Sequence, residues 1–113
     1  ARVLNNLGYS TYMSGDPAGA LPYFYNALDN HPEFDLAWQN IGLVHTMQGN
    51  YDRALNDYMH VMSKPEAYNN IGFMWMVNKK YDKAERYFRT AISLSPSYYA
   101  KAHENIERLE LLR

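Results

Sequence analysis

The chain repeats the same residue types at two fixed intervals, first 34 residues and then 30. Gly8, Gly42 and Gly72 follow this spacing. Three further sets keep the same register, and they are Leu7/Ile41/Ile71, Ala20/Ala54/Ala84 and Phe24/Tyr58/Phe88. A fixed period of about 20–50 residues is typical of solenoids, in which each repeat covers the apolar face of its neighbour. The spacing therefore predicts a repeat protein with units at about 1–34, 35–64 and 65–98.

Each repeat has the pattern of a helical hairpin. Trp38, Ile41 and His45 stand at helical spacing and mark one face of a first helix. A glycine inside a helix costs roughly 1 kcal/mol relative to alanine, so its return in every repeat indicates close packing against the aromatic residue of the second helix. We expect three hairpins and a terminal capping helix that presents Ala102, Ile106 and Leu109 on one stripe. The predicted helices are 2–14, 17–30, 34–48, 51–63, 66–78, 81–94 and 97–112.

The turns inside the hairpins differ in their capping residues. Asp16 and Asn50 are suited to cap the second helix of the first two hairpins, whereas Lys79 and Lys80 are not. The third turn is therefore predicted to be the least well capped. The second repeat is four residues shorter than the first, and the loss falls between Val61 and Tyr68, so its return helix should be about one turn short.

Composition limits the size and the partners of the chain. With 113 residues, 47% of them hydrophobic, we expect a single domain over 1–113. A net charge of -1 gives no electrostatic reason to bind nucleic acid or an anionic membrane, and no apolar run reaches the ~20 residues of a membrane helix. There is no cysteine. Because the sequence starts at Ala1 in an apolar-periodic segment, we expect a piece of a longer protein.

These residues resemble the tetratricopeptide repeat family over nearly the whole chain. The first repeat carries the signature at Leu4, Leu7, Gly8, Ala20, Phe24, Ala27 and Pro32, and the second and third repeat most of it. The sequence departs from the family at Thr11, His45 and Trp75, where tyrosine is usual. The resemblance implies an all-α, right-handed solenoid of three tetratricopeptide hairpins plus a C-terminal capping helix, and a role in binding proteins.

A narrower resemblance concerns three short segments, residues 5–9, 65–72 and 98–106. They are similar to the tetratricopeptide lipoproteins of bacterial tight-adherence pilus assembly. That resemblance implies a periplasmic domain tethered to the outer membrane through a lipidated cysteine elsewhere in the protein. Without it, a cytoplasmic location is expected.

The first helices of the hairpins are expected to line a concave groove with the residues not used in packing. These residues are Asn5, Asn6, Tyr9, Tyr12, Met13, Gln39, Asn40, Leu43, Thr46, Met47, Asn69, Asn70, Phe73, Met76 and Val77. The groove is uncharged, with a ladder of asparagines beside aromatic and methionine side chains, which are typical of peptide-binding surfaces. The alternative is that the asparagines satisfy local backbone and that the aromatics pack against neighbouring helices.

No catalytic, metal or cofactor site is predicted. The four histidines lack metal-ligand spacing, His45 is expected in the core, and Asp52, Asp57, Asp82 and Glu85 are expected on solvated helix faces. Family members that bind chaperones hold a terminal carboxylate with Lys and Arg at set groove positions. The matching positions here carry Asn5, Tyr9, Glu66 and Asn70, and only Asn40 agrees with the family, so a site for a terminal carboxylate is not expected.

The sequence therefore favours a scaffold, not an enzyme, that binds a partner protein or peptide in the groove. The alternative is a structural module that self-associates through its terminal helices, where Val3 and Leu4 lack an upstream neighbour. A catalytic role is the third reading, and no residue pattern supports a reaction.

Overall fold

In a computed structural model that describes all 113 residues, the chain forms seven α-helices and no strands. They are α1 (Arg2–Met13), α2 (Pro17–Asn30), α3 (Asp35–Met47), α4 (Tyr51–Tyr58), α5 (Lys64–Val77), α6 (Tyr81–Leu94) and α7 (Ala100–Leu112). Consecutive helices pack as the hairpins α1–α2, α3–α4 and α5–α6, and α7 packs on α6 and α5. The predicted all-α class, with three hairpins and a terminal helix, is confirmed.

Local sequence explains where most helices begin. The Asp16 carboxylate accepts a hydrogen bond of 2.9 Å from the backbone N–H of Gly19, and Pro17 occupies the first turn of α2. Asn50 occupies the N-cap position of α4, as predicted, but its side chain makes no capping hydrogen bond. The third turn is poorly capped, as predicted: Lys80 makes no side-chain cap, and Lys79 adopts a φ of 64° where the first two turns place glycine.

Two helix boundaries differ from the prediction around the shortened second repeat. α4 ends at Tyr58, five residues before the predicted boundary, so it is shortened by more than one turn. α5 begins at Lys64, two residues earlier than predicted, because Ser63 and Glu66 form a reciprocal capping box there. The capping box starts a new helix inside the shortened link, which leaves only residues 59–63 to connect α4 with α5. In contrast, α7 begins at Ala100, three residues later than the predicted start at 97.

Packing divides the chain into two compact units, residues 1–61 and 62–113. The first unit contains α1 to α4, and its core centres on Phe24, Ile41 and Val44. The second contains α5 to α7, with Phe88 and Leu109 in its core. Ala102 and Leu109 of α7 are fully buried, which confirms that this helix covers the end of the second unit. The expectation of a single domain over the whole chain stays a prediction.

The recurring glycines lie against the aromatic residues of the partner helices, as predicted. A Cβ placed on Gly8 would lie 2.6 Å from the ring of Phe24, and one on Gly42 would lie 2.8 Å from the ring of Tyr58. Such distances are far inside van der Waals contact, so only glycine lets each pair of helices approach this closely. Leu7 shares the register of the buried Ile41 but is 48% exposed, because α1 packs only on α2 and α3.

None of the seven helices combines the length and the apolar character needed to span a bilayer.

Candidate functional site

An uncharged surface lies on α1 and α3 of the first unit, and we call it the first strip. It is formed by Asn6, Tyr9, Tyr12 and Met13 of α1 and by Gln39, Asn40, Leu43 and Met47 of α3. In each helix every member has another member three or four residues away, which places them on one face. Asn40 donates a hydrogen bond of 3.0 Å from Nδ2 to Oδ1 of Asn5, and this bond joins α1 to α3 at the edge of the strip.

The first strip exposes large apolar side chains. The exposed fractions of Tyr9, Met13 and Met47 lie between 45% and 64%, while Tyr12 and Leu43 are half-buried. The rings of Tyr9 and Tyr12 stack with centroids 6.2 Å apart. Desolvation raises the pKa of Tyr12, and Tyr9 adds to the effect, so this phenol stays neutral at physiological pH. The strip therefore offers apolar area and neutral hydrogen-bonding groups without a charge.

A smaller surface of the same kind lies on α5 in the second unit, and we call it the second strip. It consists of Asn70, Phe73 and Val77, which follow one another at helical spacing. Phe73 is 41% exposed. Asn70 is half-buried and donates from Nδ2 to the Sδ atom of Met62 at 3.3 Å.

Four residues expected in the groove are buried, and their assignment to it is corrected. Asn5 and Asn69 lie inside helix interfaces, where each accepts an amide hydrogen bond of 3.0 Å, Asn5 from Asn40 and Asn69 from Asn105. Met76 belongs to the core of the second unit. The Thr46 hydroxyl donates to the carbonyl of Gly42 at 2.8 Å. These residues lie at the margin of the exposed face, where the neighbouring helix covers them.

Two of the three asparagines of the ladder, Asn40 and Asn70, therefore make hydrogen bonds within the protein. Asn6 is exposed as predicted, whereas Asn40 and Asn70 are half-buried and bonded within their own units. Asn5–Asn40 joins the first helices of successive hairpins, and Asn69–Asn105 makes the corresponding link between α5 and α7. The packing alternative drawn from the sequence thus holds for some asparagines, while the exposed aromatics fit the groove interpretation.

A buried polar pair lies beneath the first strip. His45 Nδ1 is 2.5 Å from Asp57 Oδ2, and the two side chains join α3 to α4. The prediction that His45 is a core residue is confirmed, whereas the prediction that Asp57 is solvated is wrong. Asp57 follows Ala54 by three residues and precedes Tyr58 by one, so all three share the inner face of α4. That periodicity was the signal that would have placed Asp57 inside.

Burial changes the acidity of this inner face. It raises the pKa of Asp57 above the ordinary value of 3.8, against the opposing effects of His45, Arg53 and His60. It also raises the pKa of Tyr58 to about 12, so the phenol at the seam with Gly42 remains neutral. No group of three or more histidine, aspartate or glutamate side chains could hold a metal ion.

Two open cavities lie in the second unit, and neither is lined by a residue of the second strip. One, of about 490 Å³, is lined by Lys79–Lys83 and Arg113, and the guanidinium of Arg113 already pairs with Asp82 and Glu85. The other, of about 420 Å³, lies between the start of α5 and the α6–α7 link.

Two family patterns and one similar protein match the sequence of this chain. The tetratricopeptide repeat family pattern matches residues 5–61 and again residues 65–98. The chain is similar to the photosystem I assembly protein Ycf3 of Dioscorea elephantipes, with 29% identity over 115 residues that cover 83% of this chain and 67% of that protein.

Two solved structures share the fold. One is the Yersinia enterocolitica type III secretion chaperone SycD in complex with a peptide of the translocator YopD, with a TM-score of 0.60, 18% identity and coverage of 98% of this chain and 92% of that chain. The other is the first tetratricopeptide domain of Spaghetti (RPAP3) bound to the HSP90 peptide SRMEEVD, with a TM-score of 0.56, 16% identity and coverage of 97% and 90%. Both are all-α tetratricopeptide folds like this chain.

Proposed function

The chain belongs to the tetratricopeptide repeat family, and from this premise we propose that it is a protein-binding scaffold in which each strip is, by itself, a surface for an uncharged, apolar segment of a partner. The observation that carries the proposal is the exposure of Tyr9, Met13 and Met47 on one uncharged surface. Aromatic and methionine side chains supply apolar area that adapts to a partner, and they are enriched at the centres of interfaces.

The chemistry of the strips favours a neutral segment over an acidic tail. The HSP90 peptide held by the RPAP3 domain, SRMEEVD, carries three acidic side chains. The strips offer Asn, Gln, Tyr, Phe, Leu, Val and Met, and none of these is cationic. An acidic segment would lose hydration here without gaining a counter-charge, so binding should depend on apolar contact and should change little with salt.

The experiment starts from peptides selected on the intact chain from a random displayed library. Tyr9→Ala should weaken binding of peptides selected on the first strip by about tenfold or more, and Phe73→Ala should do the same for peptides selected on the second strip, as expected for central aromatic contacts. The matched control is Tyr25→Ala on α2, because Tyr25 is exposed to a similar degree outside both strips. Equal binding by the wild type and both strip variants would refute the proposal, as would failure to select any peptide.

The selected peptides also test the charge argument. Free-acid and amidated forms should bind alike, and affinities should change less than about twofold between low salt and about 0.5 M salt. A strong preference for acidic sequences or for a free carboxylate would contradict the proposed chemistry.

We also propose that the chain has no catalytic activity of its own. Its most buried ionisable pair, His45–Asp57, is enclosed at the α3–α4 interface, and the strips contain no acid, base or nucleophile other than tyrosine phenols. A substrate held on either strip would meet only neutral side chains. Detection of turnover that disappears with a strip variant would overturn this proposal.

A more specific proposal concerns the kind of partner. Ycf3, which is similar in sequence, is named as a photosystem I assembly protein, and SycD, which shares the fold, is named as a type III secretion chaperone. Together with the similarity to pilus-assembly lipoproteins, these names support a role in which the scaffold holds a component of a larger apparatus before it is assembled. Mass spectrometry of the native protein tests the pilus version, which requires a lipid-modified cysteine outside the present sequence.

The second candidate function is self-association through terminal helices. It is favoured by Val3, which is 72% exposed on α1, and by the neighbouring exposed Leu7. Sedimentation at several concentrations distinguishes the candidates. A dimer that dissociates in Val3→Asp but not in Tyr9→Ala would favour self-association, whereas a strict monomer would exclude it.

A further inference from the structure

Methionine recurs at one position of the first two hairpins. Met13 and Met47 are 34 residues apart, and each is the last residue of the first helix of its hairpin, whereas the third hairpin has Val77 at the matching position. Met13 is 64% exposed and Met47 is 45% exposed, and both belong to the first strip. The second strip, which contains Val77, has no methionine. The two strips therefore share a neutral, apolar character but differ in sulfur.

The thioether of methionine is the only oxidisable sulfur group of this sequence, which has six methionines and no cysteine. Hydrogen peroxide transfers one oxygen atom to the Sδ atom. The sulfur lone pair forms the new S–O bond while the O–O bond of the peroxide breaks, so the sulfur loses two electrons and the peroxide leaves as water. An exposed side chain should react first, because the oxidant must reach the sulfur.

Exposure divides the six methionines into two groups. The exposed group contains the two residues of the first strip and Met59, which directly follows α4 and lies outside both strips. The half-buried or buried group consists of Met62, Met74 and Met76. Brief treatment with peroxide should therefore oxidise the exposed group first, and Met59 serves as the reference for a sulfoxide formed away from the strips.

A sulfoxide changes what the first strip offers to a partner. The methionines of the strip supply adaptable apolar area beside Tyr9, whereas a sulfoxide is polar and its oxygen is held by water. An apolar segment that closes over the sulfoxide removes this water and supplies no hydrogen-bond donor in return. The cost of burying an unpaired polar group is large enough to weaken binding by about tenfold or more.

We propose that Met13 and Met47 make the first strip sensitive to oxidation: peroxide converts their thioethers to sulfoxides and lowers the affinity of this strip for its partner segment, while the second strip keeps its affinity. The proposal rests on the binding function proposed for the first strip and adds its regulation. The change is reversible, because a methionine sulfoxide reductase with a thiol reductant returns the thioether, and the thiols leave as a disulfide with one water.

One sulfur atom adjoins the second strip and must be followed separately. Asn70 donates a hydrogen bond of 3.3 Å from Nδ2 to the Sδ atom of Met62. Met62 is half-buried, so it should react more slowly than the exposed methionines. The comparison between the strips therefore uses samples in which mass spectrometry finds Met62 still reduced.

The test uses the intact chain and peptides selected on each strip, which Tyr9→Ala and Phe73→Ala assign. The protein is treated with hydrogen peroxide, the peroxide is removed, and the sulfoxide at each methionine is quantified by mass spectrometry of proteolytic fragments. Peptides of the first strip should bind about tenfold or more weakly once Met13 and Met47 are oxidised. Peptides of the second strip should bind as before, the helical circular dichroism should be unchanged, and the reductase should restore binding to the first strip.

Two variants locate the effect. The double substitution M13V/M47V transfers the residue of the third hairpin into the first two, and peptides are selected afresh on this variant. Peroxide should then change their affinity by less than about twofold, whatever its starting value. Met59→Leu is the matched control, because Met59 is 43% exposed, close to the 45% of Met47, and it should keep the full loss of binding to the first strip.

The possible failures can be told apart. Unchanged binding to the first strip after Met13 and Met47 are oxidised would overturn the proposal and leave the binding function standing. An equal loss on both strips, a loss of helicity, or a loss that persists in M13V/M47V would overturn it by placing the effect elsewhere in the protein. Failure to select any peptide on the first strip before oxidation would refute the binding function and its regulation together.

Discussion

The contact between Gly8 and Phe24 allows a prediction whose size follows from the geometry. A Cβ at position 8 would lie 2.6 Å, 2.8 Å and 3.1 Å from three atoms of the Phe24 ring, whereas ordinary contact begins near 3.4 Å. Phe24 is fully buried, so the ring cannot turn into solvent, and α1 or α2 must move by about 0.8 Å. Overpacking of this kind costs about 1–3 kcal/mol, and close contact with two ring atoms places the cost at the upper end.

The same substitution also has a favourable effect that must be subtracted. Alanine is better than glycine inside a helix by roughly 1 kcal/mol. Gly8→Ala should therefore reduce the free energy of unfolding by about 1–2 kcal/mol. For a unit of 61 residues this lowers Tm by about 4–8 °C for each kcal/mol. Ser10→Ala, at an exposed position of the same helix, should change stability by less than about 0.5 kcal/mol.

Urea unfolding followed by circular dichroism measures these changes, and the double variant G8A/F24L separates the two effects. Leucine at position 24 removes the ring that the new methyl group would meet, so in that background Gly8→Ala should cost much less or should stabilise. If Gly8→Ala were equally destabilising with and without the ring, or stabilising in the wild type, the reasoning about helix approach would be refuted.

Three further predictions concern single side chains. Asn5→Ala should destabilise the first unit by about 1–2 kcal/mol in urea unfolding, because it removes the buried hydrogen bond from Asn40. Asn6→Ala, at the exposed neighbouring position, should be nearly neutral. Equal effects of the two substitutions would contradict the role of the Asn5–Asn40 hydrogen bond. Burial raises the pKa of Tyr58 from 10.0 to about 12, so between these pH values the unfolded chain loses this proton more readily than the folded chain does. The free energy of unfolding should therefore fall by up to about 1.4 kcal/mol per pH unit as the pH rises from 10 to about 12. Tyr58→Phe should remove that part of the fall, and an unchanged pH profile in this variant would refute the assignment. Ser63→Ala should lower the free energy of unfolding by about 1 kcal/mol and speed hydrogen exchange of the first amides of α5, because it removes the capping box. Ser97→Ala, in the exposed α6–α7 link, is the control. Unaltered exchange in Ser63→Ala would show that the capping box does not hold the start of the helix.

Much of the fold could be predicted because the repeat fixes the register of every helix. The Gly–aromatic contacts followed directly from the return of Gly8 and Gly42 in step with Phe24 and Tyr58. Periodicity is strong evidence that a residue at the middle of a buried helix face is buried, since the residues one turn before and one turn after it on that face are apolar as well.

The errors fell at positions where local patterns compete. The helix period placed Asn5 and Asn69 near the edge of an exposed face, but whether such an edge is covered depends on how closely the next helix approaches. Asp57 was assigned to solvent by residue type although its spacing placed it inside, and its partner His45 provides the hydrogen bond that makes burial possible. The early start of α5 follows from Ser63 and Glu66, a capping signature present in the sequence itself.

The central claim is that a partner segment binds on the exposed, uncharged faces of the first helices. Backbone chemical-shift mapping with a library-selected peptide tests it most directly. The largest changes are expected at Tyr9, Met13, Leu43 and Met47 for a peptide on the first strip, or at Phe73 for a peptide on the second strip, with little change at the outer positions of α2 and α4. Changes centred on those outer positions instead would contradict the claim.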